Sequence, residues 1–158
     1  MDRLTWCFRK ENGRKIVEPS ENLRKAYLQK TKEAIETAQL AKSRDWKITC
    51  MYYSMYLSLY SILMKIGVKS TIHTCTIEFA KVFLKEYFLD EELALIEKGF
   101  IARIDSQYYT DKFISEEIYQ MLMKQAPLIY AKASTVVITE DNINAIRRQL
   151  SHLLNENT

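Results

Sequence analysis

The residues with the chemistry to act are few: two histidines, His73 and His152, and a segment, ARIDSQYYTD, that carries Arg103, Gln107, Tyr108 and Tyr109. Histidine's ordinary pKa of about 6.5 lets it give and take protons near neutrality, so these two residues bound any acid–base role. Arg103 sits between Phe100 and Ile104 beside an apolar stripe, where its planar fork needs an acceptor: an acidic neighbour, a carbonyl or a phosphate. Gln107, four residues on, shares that face. Tyr108, five residues on, lies roughly 140° around an ideal helix, so joint action with Arg103 requires a helix end or a second subunit. Plainer roles exist for each: an ion pair with a bundle carboxylate for Arg103, a cap or surface position for His73, and a solvated one for His152.

Other chemistries lack their residues. There is no HExxH, CxxC or aspartate-rich calcium loop, so no protein-built metal site is expected, and no cofactor. Gly13, Gly67 and Gly99 stand alone, which leaves no glycine-rich loop to cradle phosphates and no glycines around a nucleophilic serine. Cys7, Cys50 and Cys75 are odd in number and widely spaced, which argues against a disulfide framework and for reduced thiols in the cytoplasm. The first residues are charged from Asp2 onward and do not read as a secretory signal.

The elements that must position these residues are helical. The chain has 158 residues, 47% apolar, 27% charged and 11% aromatic, with three glycines and two prolines. That is the length of one domain, with too few turn residues for a sandwich or barrel and too many aromatics for disorder. The net charge of +3 is unevenly spread: residues 1–47 hold 12 basic and 7 acidic residues, and the remainder 11 and 13. A dedicated nucleic-acid binder concentrates more positive charge than this.

Residues 1–19 read as an extension without helical period, with a polar turn near Asn12 and Gly13. Pro19 disfavours helix before it, and Ser20 is a fair N-cap. Leu23, Tyr27, Thr31, Ala34, Ala38 and Ala41 then recur at spacings of three and four, marking an amphipathic helix. A second helix, from about Asp45 to Ile66, carries two apolar seams. Ile48, Tyr52, Met55, Leu59, Ile62 and Ile66 form one; Tyr53, Leu57, Tyr60 and Met64 form the other. Ser54, Ser58 and Ser61 lie between them, and Gly67 terminates the helix. The uncharged run from Ile48 to Met64 is short for a membrane span and rich in tyrosine and serine, so it reads as the buried central helix.

Ser70 or Thr71 can cap a third helix that ends near Tyr87. Asp90 opens a fourth, with Leu93, Ile96, Phe100 and Ile104 on its apolar face. Ser115, Glu116 and Glu117 open a fifth, which Pro127 should kink or split. Thr139 can cap a last helix carrying Ile143, Ile146, Leu150 and Leu153. With no repeat and no long linker, the expectation is an all-α, up-and-down antiparallel bundle. It comprises an N-terminal extension (1–19), a bundle of four to five core helices (20–137) and an amphipathic C-terminal helix (138–158) in one domain.

The run MYYSMYLSLYSILMKIGVKSTIHTCTIEFAKVFL, followed by ARIDSQYYTDKFISEEIYQ, resembles the HEPN superfamily, and within it a small archaeal and bacterial branch. There a helix of the form YYxxFxxxxxxLxxxG precedes a loop with a histidine, then a helix with an arginine and a tyrosine five residues later. Tyr52, Tyr53, Tyr56, Leu63 and Gly67 match the first element, His73 the loop, and Arg103 and Tyr108 the last. Trp6, Cys7, Glu18, Pro19, Leu23 and Tyr27 match an N-terminal pattern of archaeal members.

The resemblance implies a helical bundle that dimerises and is encoded beside a minimal nucleotidyltransferase in a toxin–antitoxin-like pair. Active members are metal-independent ribonucleases whose arginine stabilises the phosphate in flight, while a histidine four to six residues later moves protons. In this chain Tyr108 and Tyr109 stand where that histidine would be. A phenol with an ordinary pKa of about 10 is a poor base at neutral pH. Thr110 also replaces a tyrosine that the partner enzyme modifies in active toxins.

The leading expectation is therefore a HEPN-like protein acting through a partner and holding a nucleotide or RNA phosphate with Arg103, Gln107, Tyr108 and Tyr109. The alternatives are a metal-independent ribonuclease with a non-standard site of His73, Arg103 and Tyr108, and a purely structural interaction module.

Overall fold

A computed structural model describes residues 3–11 and 13–156, and the expected turn at Asn12 falls partly outside them. Among these residues seven helices and one two-stranded ribbon are present, an all-α bundle. The centre is α3 (Arg44–Ile66), which packs against α2 (Glu21–Leu40), α5 (Asp90–Tyr108) and α6 (Glu116–Thr135) at once. Both of its apolar seams are therefore used. Ile48, Tyr52, Met55, Leu59, Ile62 and Ile66 are buried, and Tyr60 on the second seam meets Tyr27 of α2 edge-on at 4.8 Å within the chain. Ser54, Ser58 and Ser61 are also buried. Each hydroxyl donates back to a carbonyl of its own helix at 2.7 Å (Met51, Ser54 and Ser58), so the strip buries no orphaned donor.

The helix ends follow from side-chain chemistry. Ser20, Ser43 and Ser115 each accept a backbone N–H three residues on. Thr139 and Asn142 cap one another reciprocally at the start of α7 (Glu140–Glu156). Gly67 closes α3 in the left-handed region, with φ of 83°.

Several expectations are corrected. Residues 3–9 form a short helix, α1 (Arg3–Arg9), because three anchors supply what its own period does not: Phe8 packs on the core, and a disulfide and an ion pair tie it down. The disulfide joins Cys7 to Cys75, both fully buried and 68 positions apart in sequence, which overturns the reading of three reduced thiols. Cys50 is the free one. Linear spacing carries no sign of such a pairing, since the fold alone brings the two together. Arg3 adds ion pairs to Glu78 at 3.2 Å and Glu97 at 3.0 Å.

Neither Ser70 nor Thr71 is the N-cap of α4 (His73–Phe83). That position is Ile72, with no side-chain cap, because the preceding residues are held in the ribbon of β1 (Lys15–Ile16) and β2 (Val68–Lys69). The α4 helix also ends at Phe83, short of Tyr87. Pro127 lies inside an unbroken α6, so the expected split is absent. On α2, Leu23 is half exposed and Ile35 takes a buried place the stripe did not include.

Candidate functional site

The packing of α3 against α4 and α5 builds an aromatic cage around His73. Tyr52, Tyr53 and Tyr56 occupy adjacent and next-turn positions of α3, so their rings project from neighbouring faces toward the start of α4. His73 is the first residue of α4, and its ring stacks on Tyr56 at 4.1 Å and 3°. Tyr52 and Phe100 stack beside it at 5.7 and 5.8 Å, and Tyr53 meets it edge-on at 5.9 Å. The Tyr52 hydroxyl lies 2.5 Å from His73 Nδ1.

Arg103 reaches the same cage from α5, one turn beyond Phe100. Its Nη2 donates to the Tyr53 hydroxyl at 3.1 Å, and its guanidinium lies 5.3 Å from the Tyr53 ring. No carboxylate pairs with Arg103 among the described residues, and its Nε is buried without a hydrogen-bond partner. Asp105, the nearest acid in sequence, pairs instead with Lys112 at 2.8 Å. An arginine half-buried among rings and short of acceptors is a donor set in want of an anion.

The electrostatics follow from the cage. Burial, and after it the Arg103 charge, hold His73 below the ordinary imidazole value, so it is neutral near pH 7. Burial pushes the Tyr52 hydroxyl well above the phenol range and raises Tyr56 to about 12; at Tyr56 a long hydrogen bond to Thr76 pulls weakly the other way. These phenols stay protonated.

The remaining expected residues are more loosely gathered. Tyr108 is the last residue of α5, and this helix end brings its ring to 5.9 Å from the Arg103 guanidinium although it is 70% exposed. Tyr109 caps the helix and lies under Lys112 at 4.3 Å. Gln107 donates to the Asp45 carbonyl at 3.5 Å, at the start of α3. His152 is exposed on α7. Tyr52 and Phe100 were legible as helix-packing positions, Tyr56 was singled out only by the resemblance, and the spacing of Phe100 three residues before Arg103 was the one sign that both share a face. Among the described residues, no group of three or more His, Cys, Asp or Glu is placed to hold a metal ion, and no helix is long and apolar enough to cross a membrane.

Compared with known proteins, the chain matches no protein-family model and no curated sequence.

Proposed function

We propose that this chain is a HEPN-like helical protein that works through a partner and holds the phosphate of a nucleotide or RNA at Arg103. The observation that carries the reading is the state of that arginine: among the described residues no carboxylate pairs with it, its Nε is buried unpaired, and its surroundings are phenols and a neutral histidine. In the pattern of the resemblance, arginine is the phosphate-stabilising member and the proton-moving histidine is replaced by Tyr108, so binding is retained and cleavage is not. The partner is a nucleotidyltransferase encoded nearby, and the chain forms a homodimer. The setting is the cytoplasm, where disulfides are uncommon, and a count of free thiols on protein taken from cells shows whether Cys7 and Cys75 are joined there.

Arg103→Ala tests the pocket. Affinity for adenosine monophosphate, measured by calorimetry, is expected to fall tenfold or more, about the value of one charged hydrogen bond, with little change in thermal unfolding. A variant that unfolds more easily but binds as before would mark Arg103 as structural. Co-purification at native expression tests the partner, and a lone monomer would count against it.

A ribonuclease is favoured by one observation, that the fold brings His73 within reach of the Arg103 charge. Its test is RNA cleavage in EDTA leaving a 2′,3′-cyclic phosphate, abolished by both Arg103→Ala and His73→Ala.

A further inference from the structure

We propose that Tyr52 holds His73 in the tautomer with its proton on Nε2, so that His73 and Arg103 together offer hydrogen-bond donors to a phosphate ester and His73 does not serve as a base. The inference rests on the phosphate pocket proposed above and adds how the pocket grips its ligand.

The argument starts from the buried phenol. Tyr52 is fully buried and its hydroxyl keeps its proton, which needs an acceptor. Among the described residues the one hydrogen-bond partner of that oxygen is His73 Nδ1. If Nδ1 carried the imidazole proton, it would donate to Tyr52 and leave the phenolic hydrogen buried with nothing to accept it, a loss on the order of 1–3 kcal/mol. Tyr52 therefore donates and Nδ1 accepts. A neutral imidazole with Nδ1 accepting carries its hydrogen on Nε2, and burial together with the Arg103 charge keeps the ring neutral.

Nε2 has no hydrogen-bond partner among the described residues and is not sealed from water. The same holds for Nη1 of Arg103. Two open donors on helices that pack together, with the Arg103 charge felt at the neutral His73 ring, favour an anion with several oxygens. The Tyr108 ring, largely exposed 5.9 Å from the guanidinium, offers a face on which a base can stack. A nucleoside phosphate meets both conditions. A protonated Nε2 cannot take the proton of a ribose 2′-hydroxyl, so the cage binds and does not cleave. Tyr52 is a positioning residue in this scheme, acting through His73.

Nitrogen-15 NMR of the imidazoles reads the tautomer directly, and a His152→Gln background leaves His73 as the single histidine. The expected spectrum has a protonated Nε2 and a bare Nδ1, with the preference lost in Tyr52→Phe. Binding is then measured with adenosine monophosphate and with a single-stranded oligoribonucleotide lacking terminal phosphates, which separates a terminal phosphate from an internal diester.

His73→Gln keeps a donor and is expected to stay within a few fold of the parent. His73→Phe keeps the stack and is expected to weaken binding by about tenfold, the size of one hydrogen bond to a charged group. These two variants stand even if Tyr52→Phe fails to fold. A proton on Nδ1 with phosphate binding intact overturns this inference alone. A proton on Nε2 with neither probe bound overturns the phosphate pocket, and the ligand named here with it. Equal losses in Gln and Phe, accompanied by RNA cleavage in the parent, return His73 to the role of base.

Discussion

The His73 ring trades hydration for stacking, and that trade has a measurable pH signature. In the unfolded chain the imidazole takes up a proton below about pH 6.5. In the folded protein, burial and Arg103 hold it neutral to lower pH. The unfolded state thus binds more protons in this window, so the contribution is complete above about 6.5 and shrinks as pH falls toward the folded value. Urea unfolding at about pH 7.5 and about pH 5.5 should show the parent losing more stability between the two than His73→Phe, which retains a ring in the cage but cannot titrate. Equal losses would mean that the imidazole titrates as freely folded as unfolded. The participants were readable in the sequence as types, His73 and Arg103 among them. Their meeting was not, because thirty residues and a helix turn separate them and only the packing of α4 on α5 closes the gap.

At the scale of elements, two features hold the helices that carry the cage. The Cys7–Cys75 disulfide joins α1 to α4 two residues beyond His73, and Arg14, buried between Phe8 and Phe79, donates to the Cys75 carbonyl at 2.6 Å. Burial lowers that guanidinium to about 10, against the opposing pull of Glu78. Closing so long a loop constrains the unfolded chain, so the double variant Cys7→Ser/Cys75→Ser should lose about 2–4 kcal/mol in denaturant titrations without reductant. The parent should approach it when a dithiol is added, and an unchanged midpoint would show that the bond is absent in solution.

Gly67 is the other feature. Its φ of 83° costs an L-residue roughly 1–2 kcal/mol, and an added Cβ would sit 2.5 Å from the Val17 carbonyl oxygen and 2.9 Å from the Pro19 nitrogen. Gly67→Ala should therefore lower stability by more than the dihedral cost, about 2 kcal/mol or more, read as a drop in thermal midpoint. The terminator was legible from the sequence; the crowding by Val17 and Pro19 was not, since it depends on β1 lying against β2.

Across the whole molecule, one side chain ties both ends of the chain to its centre. Arg147 of α7 donates from Nη1 to the carbonyls of Val17, Ile66 and Gly67 at 2.7, 3.1 and 3.0 Å, so the N-terminal segment, the end of α3 and the last helix share one guanidinium. Arg147→Ala should cost on the order of 1–3 kcal/mol, because three partly buried carbonyls lose the guanidinium together, although that of Gly67 keeps the Val17 N–H. It should also speed hydrogen exchange in α7 ahead of global unfolding. If exchange in α7 and in α3 rises in parallel, the last helix does not open independently. Ile143, Ile146 and Leu150 are buried, so this face of α7 packs into the bundle.

The sequence by itself determined the helical class, five of the helix starts or stops, and the central place of α3. Those depend on local matters: a serine or threonine three residues ahead of a free N–H, a glycine able to adopt positive φ, apolar residues repeating at three and four. Tertiary structure alone decided that α1 is a helix, that Cys7 meets Cys75, and that His73 and Arg103 share a cage of Tyr52, Tyr53, Tyr56 and Phe100. Each of these is a contact between residues far apart in the chain, and its free energy comes from the burial and pairing of the two together. Neither partner's neighbours in sequence carry a trace of it.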